Sequence, residues 1–413
     1  MGFNLEEPMR DLLGLNLFDL ARTAVEEFRK TFRASPTRLA IAPGRANLIG
    51  EHTDYHDGFV FPVAIDRFVV VAARPIEGQS DVRSLLLGKS QAWDNATVVP
   101  GDLAGWERYP AGVAWALREA TQSVPVAVQA LTASNLPIGA GLSSSAALEM
   151  AFATLWRDLS GLEVDDLLLA KVGQRAENEF VGMKCGIMDQ TASIKGRAGQ
   201  AMMIDTREPL SVDYSPLPEG IRIVICDTRQ HHELASSGYN DRRAESEEAA
   251  ARLGVNKLRD ANLDRLIAAE SEMPEVLVRR ARHVITENAR VNGFRRALLE
   301  GNKLAISTLM RASHESLRHD YEVTTDELNA MAEAAWDTVG CLGARMTGGG
   351  FGGACVALVS EGMVDGFIRQ TSQRYRFKTG LDGAYHICRA VDGARVVNLE
   401  EDPEPPILNE SSS

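Results

Sequence analysis

Residues 135–149 read NLPIGAGLSSSAALE and mark a change from a strand to a helix. The preceding residues 124–134 alternate loosely between apolar and polar and predict a strand, whereas the pattern turns helical from Ser145 onward. Gly139 and Gly141 let the backbone approach a ligand closely, and the free N–H groups of the following helix favour anionic oxygens. These residues, 139–145, are called the serine loop below. They predict a phosphate site, with a tight turn and a serine N-cap as the alternative.

Two known phosphate loops differ from the serine loop in sequence. A P-loop has the pattern GxxxxGK followed by Ser or Thr, and no lysine follows the glycines here. A dinucleotide loop has the pattern GxGxxG, in which Ser144 would replace the third glycine. Asp158 and Glu163 lie roughly where that motif has a ribose-binding acid. A dinucleotide-dependent hydride-transfer enzyme therefore stays open as an alternative.

A second candidate segment, called the polar stretch below, lies upstream at residues 41–62 (IAPGRANLIGEHTDYHDGFVFP). Its polar side chains stand between apolar edges, and these edges predict strands. They indicate either a pocket for a small polar molecule or a solvated loop. The polar residues are Arg45, Asn47, Glu51, His52, Asp54, His56 and Asp57. The two histidines and two of the acids could also suggest a zinc site, but the flanking sequence does not predict a helix that would align them.

A second glycine-rich segment lies at residues 346–359 (MTGGGFGGACVALV), before a predicted strand. The five glycines within residues 348–353, the glycine loop, each cost backbone entropy on folding. They indicate either a loop that lies against another backbone or a ligand, or a flexible hinge. A loop that flanks phosphates is coherent with the serine loop, whereas a dinucleotide enzyme has no obvious use for it.

An acid, Asp189, lies among apolar residues in the segment 176–193 (AENEFVGMKCGIMDQTAS). An isolated buried carboxylate is costly, so this acid is expected to be paired or functional. The alternative is a helix N-cap or a surface turn. Glu177 and Glu179 in the same segment form a separate set of charges, and one of them could hold a metal, with a solvated helix face as the alternative.

The composition is that of a globular protein and disfavours several classes. The chain has 413 residues, of which 45% are hydrophobic, and its length predicts two domains. A net charge of −13 disfavours a nucleic-acid partner. The five cysteines are scattered without a CxxC pair, which favours buried free thiols over a disulfide framework or a zinc ribbon. Without a signal-peptide pattern or a membrane-spanning run, the chain is expected to be soluble and cytoplasmic.

Other segments predict the remaining organisation. Residues 17–32 and 165–180 predict helices, 220–228 a buried strand and 383–397 a hairpin-like pair of strands. Prolines between residues 205 and 220 indicate a domain boundary, and the Pro- and Ser-rich tail 401–413 predicts disorder.

Five segments together make the chain resemble the galactokinases, within the superfamily of galacto-, homoserine, mevalonate and phosphomevalonate kinases. They follow in the family's order and cover most of the chain. The segments are GRANLIGEHTDYHDGFVFP (44–62), LPIGAGLSSSAALE (136–149), CGIMDQTAS (185–193), SSGYNDRR (236–243) and MTGGGFGGACVALV (346–359).

The resemblance implies an α/β (α+β) fold of two domains with the active site in the cleft between them. We expect an N-terminal domain at residues 1–205, a C-terminal domain at 206–400 and a tail at 401–413. The implied reaction transfers the γ-phosphoryl group of ATP, with Mg²⁺, to the anomeric hydroxyl of α-D-galactose.

The resemblance also implies roles for individual residues. Asp189 is the implied acid beside the sugar hydroxyl and Arg45 the neighbouring cation. The implied sugar contacts are Glu51, His52, Asp54, Gly186 and Tyr239. The implied ATP contacts are Gly139, Gly141, Ser143, Ser144, Ser145, Gly349, Gly350 and, in a less distinctive segment, Trp106 and Tyr109. The implied Mg²⁺ ligands are Ser145 and Glu177.

One departure from the family pattern lies after HTDY, where a small or amide residue and two glycines usually follow. This chain has His56, Asp57 and Gly58 instead, which puts the rim of the sugar pocket in question.

Two alternative functions besides the dinucleotide enzyme follow from the resemblance. They are a kinase for a related sugar, such as N-acetylgalactosamine or arabinose, and a galactose-dependent regulatory binder without catalysis. The intact GEHTDY and GLSSSAA segments favour the galactose enzyme, and we expect a monomer.

Overall fold

The computed structural model describes residues 12–88, 90–137, 139–231 and 235–399, and the side chains of residues 231 and 235–237 are not described. The tail predicted to be disordered, residues 401–413, lies outside the described residues. The predicted α/β class is confirmed, because helices cover both faces of one sheet and pack on a second. The strands are β1 (Arg38–Asn47), β2 (Phe59–Val60), β3 (Pro62–Pro75), β4 (Asp81–Ser84), β5 (Val128–Ser134), β6 (Gln200–Asp205), β7 (Ser211–Pro216), β8 (Ile221–His231), β9 (Cys341–Thr347), β10 (Gly352–Ser360), β11 (Ala384–Cys388) and β12 (Arg395–Asn398).

The helices follow the apolar periodicity of the sequence. They are α1 (Leu17–Phe32), α2 (Arg108–Thr121), α3 (Ser144–Leu159), α4 (Asp166–Arg175), α5 (Met188–Lys195), α6 (Ala235–Arg252), α7 (Leu263–Ala269), α8 (Glu275–Leu299), α9 (Lys303–Ser316), α10 (Asp326–Trp336) and α11 (Val364–Thr379). The predicted helix 17–32 is confirmed, and Asn16 caps its start by accepting from the Asp19 N–H at 2.9 Å. The helix predicted at 165–180 is α4, which continues as a π-helical segment, Ala176–Val181.

The first sheet has the strand order β12-β1-β3-β5-β4 and forms the base of the first half of the molecule. Its pairs are antiparallel except β4 and β5, which are parallel. Because β1 and β3 are buried on both faces, they are apolar along almost their whole length. Helix α1 packs on one face and α3 lies against the other. A register shift between Pro43 and Arg45 interrupts the pairing of β1 with β3.

The second sheet has the order β11-β8-β10-β9, and a third, smaller sheet has the order β2-β6-β7. The predicted hairpin at 383–397 is wrong, because β11 pairs with β8 whereas β12 pairs with β1 of the first sheet. The chain therefore returns to its first half at its end. The predicted boundary at residue 205 falls between β6 and β7, which pair with each other, and the domain limits stay a prediction.

Buried polar contacts join the two halves around the polar stretch. The Gly50 N–H donates to Glu287 of α8 at 2.9 Å, and the Asn47 N–H donates to the Thr347 hydroxyl at 3.0 Å. The first bond holds the polar stretch against α8, and the second holds the end of β1 against the end of β9, directly before the glycine loop. None of the helices among the described residues is long and apolar enough to cross a membrane.

Candidate active site

A cavity of about 370 Å³, the main cavity, lies where the two halves meet. It gathers residues that are far apart in the sequence: the polar stretch, the serine loop, the segment 183–189, Tyr239 on α6 and the glycine loop. The predicted site residues that line it are Arg45, Glu51, His52, Asp54, Gly139, Gly141, Ser143, Ser144, Ser145, Glu177, Gly186, Asp189, Tyr239, Gly349 and Gly350. The polar stretch is therefore largely buried around a pocket rather than a solvated loop.

The centre of the cavity is a charged pair. The guanidinium of Arg45 donates to both oxygens of Asp189, from Nε to Oδ1 at 2.8 Å and from Nη2 to Oδ2 at 2.9 Å. Arg45 Nη1 donates to the Gly141 carbonyl at 2.6 Å, so the same cation also fixes the serine loop. Arg45 is buried, whereas the Asp189 side chain keeps 25% of its surface exposed. Asp189 is thus a paired acid in the first turn of α5 that still faces the cavity.

The serine loop leaves the start of α3 open toward the cavity. Ser143 stands at the N-cap position with a φ of 58°, but its side chain does not cap the helix. Its hydroxyl instead donates to Asp189 Oδ2 at 2.5 Å. The N–H groups of the first turn of this 16-residue helix therefore lack a side-chain cap and can bind an anion. The interpretation as a turn with a capping serine is wrong in that respect.

The glycine loop lies against the serine loop. A Cβ on Gly348 would lie 2.9 Å from the Gly141 oxygen, and a Cβ on Gly141 would lie 3.0 Å from the Thr347 oxygen. A Cβ on Gly350 would lie 2.3 Å from the Val323 oxygen, and the φ of this residue is +81°. The backbones approach too closely for side chains, which confirms the prediction of a loop against another backbone.

Glu51 joins the polar stretch to the glycine loop. Its Oε2 accepts from Asn47 Nδ2 at 2.6 Å and from Arg345 Nη1 at 2.5 Å, and its Oε1 accepts from the Gly348 N–H at 2.9 Å. Burial raises the pKa of Glu51 to about 7, against the opposing effect of Arg345. Sequence reasoning missed Arg345, because only its packing on the opposite half shows that this buried cation pairs with Glu51.

His52 is held as a neutral imidazole. Its Nδ1 lies 2.8 Å from the Tyr55 hydroxyl and its Nε2 lies 3.1 Å from the Gly349 carbonyl. Because a carbonyl only accepts, Nε2 carries the hydrogen and Nδ1 accepts from Tyr55. Burial lowers the pKa of His52 to about 3.

The zinc alternative finds no support among the described residues. His56 points away from His52, and its Nε2 lies 2.7 Å from the Ser246 hydroxyl. The described ranges contain no group of three or more potential metal ligands.

Asp54 and Gly186 face each other at the end of the cavity near Tyr239. A Cβ on Gly186 would lie 1.8 Å from Asp54 Oδ2, so only glycine leaves room for this carboxylate. Asp54 Oδ2 accepts from the Met188 N–H at 3.3 Å, which ties it to the residue before Asp189. Burial, and then the charge of Asp189, raise the pKa of Asp54 to about 6. The Tyr239 ring lies beside His52, with 5.3 Å between ring centroids.

Glu177 lies beside the start of α3 and close to Asp189. It accepts from Ser145, from Cys185 Sγ at 3.3 Å and from Gln190 Nε2 at 2.9 Å. Burial, and then the charge of Asp189, raise its pKa to about 7. It is a buried acid, so its interpretation as part of a solvated helix face is wrong. A hydroxyl and a carboxylate on the edge of a phosphate-binding loop fit Mg²⁺, which takes few protein ligands and completes its shell with phosphate oxygens and water.

A second cavity of about 210 Å³, the side cavity, opens beside the main one. Both cavities share Ser144 and Ser145. Trp106 and Tyr109 line the side cavity and not the main one, together with largely apolar neighbours. The sequence had no signal for the residues that complete the side cavity, such as Ser84 and Leu148, because they come from elements far apart in the chain, among them β3, β4, β5 and α3.

The acids that kept a dinucleotide enzyme open do not lie in either cavity. Asp158 pairs with Arg38 Nε at 2.6 Å, and Glu163 is exposed beyond the end of α3. Neither acid lines the space beside the serine loop. This placement removes the ribose contact that the dinucleotide motif needs.

Comparisons with known proteins agree with this site. The model of the galactokinase galactose-binding signature matches residues 26–75, and the models of the GHMP kinase N-terminal and C-terminal domains match residues 108–197 and 294–376. A galactokinase of Roseiflexus sp. (strain RS-1) is 42% identical over 374 residues, which cover 89% of this chain and 95% of that protein.

The chain is also similar to solved structures of a galactokinase and of a mevalonate kinase. The structure of Lactococcus lactis galactokinase complexed with galactose superposes with a TM-score of 0.84 and 34% identity, covering 90% of this chain and 98% of the other. A mevalonate kinase of Methanococcus jannaschii, at 17% identity, has a TM-score of 0.61 over 87% of this chain and 100% of its own, and it shares the fold.

Proposed function

Because this chain belongs to the galactokinase family, we propose that its main cavity transfers the γ-phosphoryl group of ATP to the anomeric hydroxyl of α-D-galactose, giving galactose 1-phosphate and ADP. The observation that carries this proposal is the Arg45–Asp189 pair at the junction of the two glycine-rich loops. It sets a carboxylate, a guanidinium and an open helix start around one space. Phosphoryl transfer needs these groups for positioning and charge neutralisation.

Asp189 orients the sugar hydroxyl and receives its proton. Both carboxylate oxygens accept from Arg45, and Oδ2 accepts from Ser143 as well. Oδ1 therefore keeps a lone pair for the anomeric hydroxyl. The hydroxyl oxygen attacks the γ-phosphorus of ATP. The bond between the γ-phosphorus and the bridging oxygen breaks, so that ADP leaves, and the hydroxyl proton passes to Asp189. Arg45 stabilises the charge that develops on the phosphoryl oxygens.

Galactose occupies the end of the cavity formed by the polar stretch. The Asp54 carboxylate is the main acceptor for sugar hydroxyls, since protein donors reach it only at 3.1 and 3.3 Å. Glu51 Oε1 keeps a second acceptor position beside its bond to Gly348. The neutral His52 shapes the wall through its bonds to Tyr55 and Gly349 rather than through a free nitrogen.

ATP spans the two cavities. The open N–H groups at the start of α3, with the backbones of the serine and glycine loops, bind its phosphates. The side cavity binds adenine, because it is apolar, aromatic on one side and continuous with the serine loop. Its aromatic residues are Trp106 and Tyr109.

Ser145 and Glu177 hold Mg²⁺ beside the phosphates. When bound, the ion supplies positive charge that neutralises the β- and γ-phosphate oxygens. The two residues support this role because their oxygens already adjoin at the edge of the phosphate site. We further propose that the enzyme acts as a monomer, since every group named in the mechanism comes from one chain.

The test is ATP consumption coupled to sugar 1-phosphate formation, measured with Mg²⁺ and four sugars: galactose, glucose, N-acetylgalactosamine and arabinose. We expect galactose to be preferred and the phosphate to be on the anomeric oxygen. Preference for another sugar would favour the related sugar kinase. Galactose binding without any phosphorylation would favour the regulatory binder and contradict the roles of Asp189 and Arg45.

A further inference from the structure

The side cavity contains a hydroxyl whose orientation is fixed by its own hydrogen bonds. Ser84, the last residue of β4, lines this cavity together with Trp106 and Tyr109. Its Oγ accepts the backbone N–H of Leu86 at 3.2 Å and that of Leu87 at 3.1 Å. The chain makes this serine turn where it leaves the strand.

These two bonds leave Ser84 only a donor. A serine hydroxyl has two lone pairs and one hydrogen. The N–H groups of Leu86 and Leu87 take both lone pairs, so the hydroxyl can donate but can no longer accept. Among the hydrogen bonds of residues 12–88, 90–137, 139–231 and 235–399, none has the Ser84 hydroxyl as its donor. The hydrogen is therefore available to a molecule in the cavity.

Other hydroxyls line the cavity, on Tyr109, Thr132, Ser134, Ser144 and Ser145, but among the described lining residues only the Ser84 hydroxyl has both lone pairs occupied by backbone N–H groups. The Trp106 indole N–H is engaged by the Gly88 carbonyl at 3.3 Å, and the Ser134 hydroxyl accepts the Leu136 N–H at 3.1 Å. Most of the remaining wall is apolar, from Val69, Leu86, Leu87, Ala133, Leu136 and Leu148. In such surroundings an unmatched polar group on a ligand is costly, so one fixed donor discriminates between ligands.

We propose that Ser84 is a specificity-determining residue that donates a hydrogen bond to a ring nitrogen of the adenine of ATP. The inference rests on the proposed function, which assigns adenine to the side cavity. Adenine carries acceptors at its ring nitrogens and a donor at its amino group. Because the Ser84 oxygen has no lone pair left, it serves a ring nitrogen and cannot serve the amino group.

The test removes each side of the bond in turn. The affinities of the wild type and of Ser84→Ala are measured by calorimetry, with Mg²⁺ and without sugar, for ATP and for its 1-deaza, 3-deaza and 7-deaza analogues. We expect Ser84→Ala to weaken ATP binding by about three- to tenfold, the range for one neutral hydrogen bond. One deaza analogue should bind the wild type and the variant equally, because the acceptor is already missing.

A structural role of the hydroxyl gives a different result. Ser84→Ala also leaves the Leu86 and Leu87 N–H groups without their acceptor, which could loosen the loop. A loosened loop would weaken ATP and all three analogues by the same factor, and that outcome would overturn the inference, as would unchanged ATP binding. Since no sugar is present, failure of the galactose assay would refute the proposed function but not this result, whereas a wild-type chain that binds no ATP would refute both.

Discussion

Replacing Gly186 by alanine should weaken galactose binding and preserve ATP binding. A Cβ at this position would lie 1.8 Å from Asp54 Oδ2 and 2.0 Å from Asp54 Cγ. Since non-bonded heavy atoms prefer separations of about 3.5 Å, the carboxylate would have to move by roughly 1.5 Å. Gly186 is not among the residues with positive φ, so the collision with Asp54 is the main source of strain.

The size of the effect follows from the bonds that the displaced carboxylate loses. Asp54 is the proposed acceptor for galactose hydroxyls, and a hydrogen bond to a charged group contributes about 1.5–3 kcal/mol. With one or two such bonds lost, binding should weaken by about 1.5 to 6 kcal/mol, a factor of roughly 10 or more in Kd. The phosphate loops and the side cavity do not contain Gly186, so ATP affinity should change by less than about threefold.

Calorimetric titration of the variant with galactose and, separately, with ATP measures both effects. Gly366→Ala is the matched control, because Gly366 lies within α11 and a Cβ there would meet no atom within 4 Å. The control should bind both ligands as the wild type does. A galactose Kd for Gly186→Ala within threefold of the wild-type value would refute the proposed role of Asp54.

Three further predictions test other parts of the site. Asp189→Asn should lower kcat by about 10²- to 10⁴-fold, the usual contribution of general base catalysis, while galactose binding stays detectable by calorimetry; normal turnover would remove Asp189 from the mechanism. Because burial and the charge of Asp189 raise the pKa of Asp54 from 3.8 to about 6, its ionised form destabilises the fold as the pH rises from about 4 through about 6. Asp54→Asn should therefore stabilise the fold more at pH 8 than at pH 4. The rise in pKa from 3.8 to about 6 corresponds to about 3 kcal/mol of unfolding free energy at pH 8. An equal gain in melting temperature at both pH values would contradict this. Glu177→Gln should raise the Mg²⁺ concentration for half-maximal activity by about tenfold or more. The control is Glu179→Gln, which changes an exposed acid paired with Arg175 and should not raise that concentration. Equal responses of the two variants would argue against Glu177 as a ligand.

Local sequence patterns predicted the elements that depend on neighbouring residues. Helix α1 begins and ends at the predicted residues, because its cap, its charges and its apolar periodicity all lie within the segment itself. The serine loop was predicted for the same reason, since glycines and serines between a strand and a helix act within a few residues. The strands at 383–397 were predicted to form a hairpin and do not, because each pairs with a strand from a distant part of the chain: β11 with β8 and β12 with β1.

The candidate site residues were named from motifs, but their hydrogen-bond partners were not. The Ser143 hydroxyl could cap α3 or donate across the cavity, and the sequence is compatible with either role. In the structure the hydroxyl donates to Asp189, which lies 46 residues further along the chain. Glu51 likewise finds its counter-charge in Arg345, 294 residues away, and no local pattern signals such a partner.

The sequence by itself therefore determined which segments line the main cavity and, through the family resemblance, which reaction to expect. Residue type and short spacing are enough to predict a helix start that favours anions, a stretch of polar side chains suited to a pocket and an acid in apolar surroundings. Only the tertiary structure decided which lone pairs and N–H groups stay free for a ligand, as at Ser84, Asp189 and the start of α3. The physical reason is that a buried polar atom is available to a substrate only if the packing of distant elements leaves it without a protein partner.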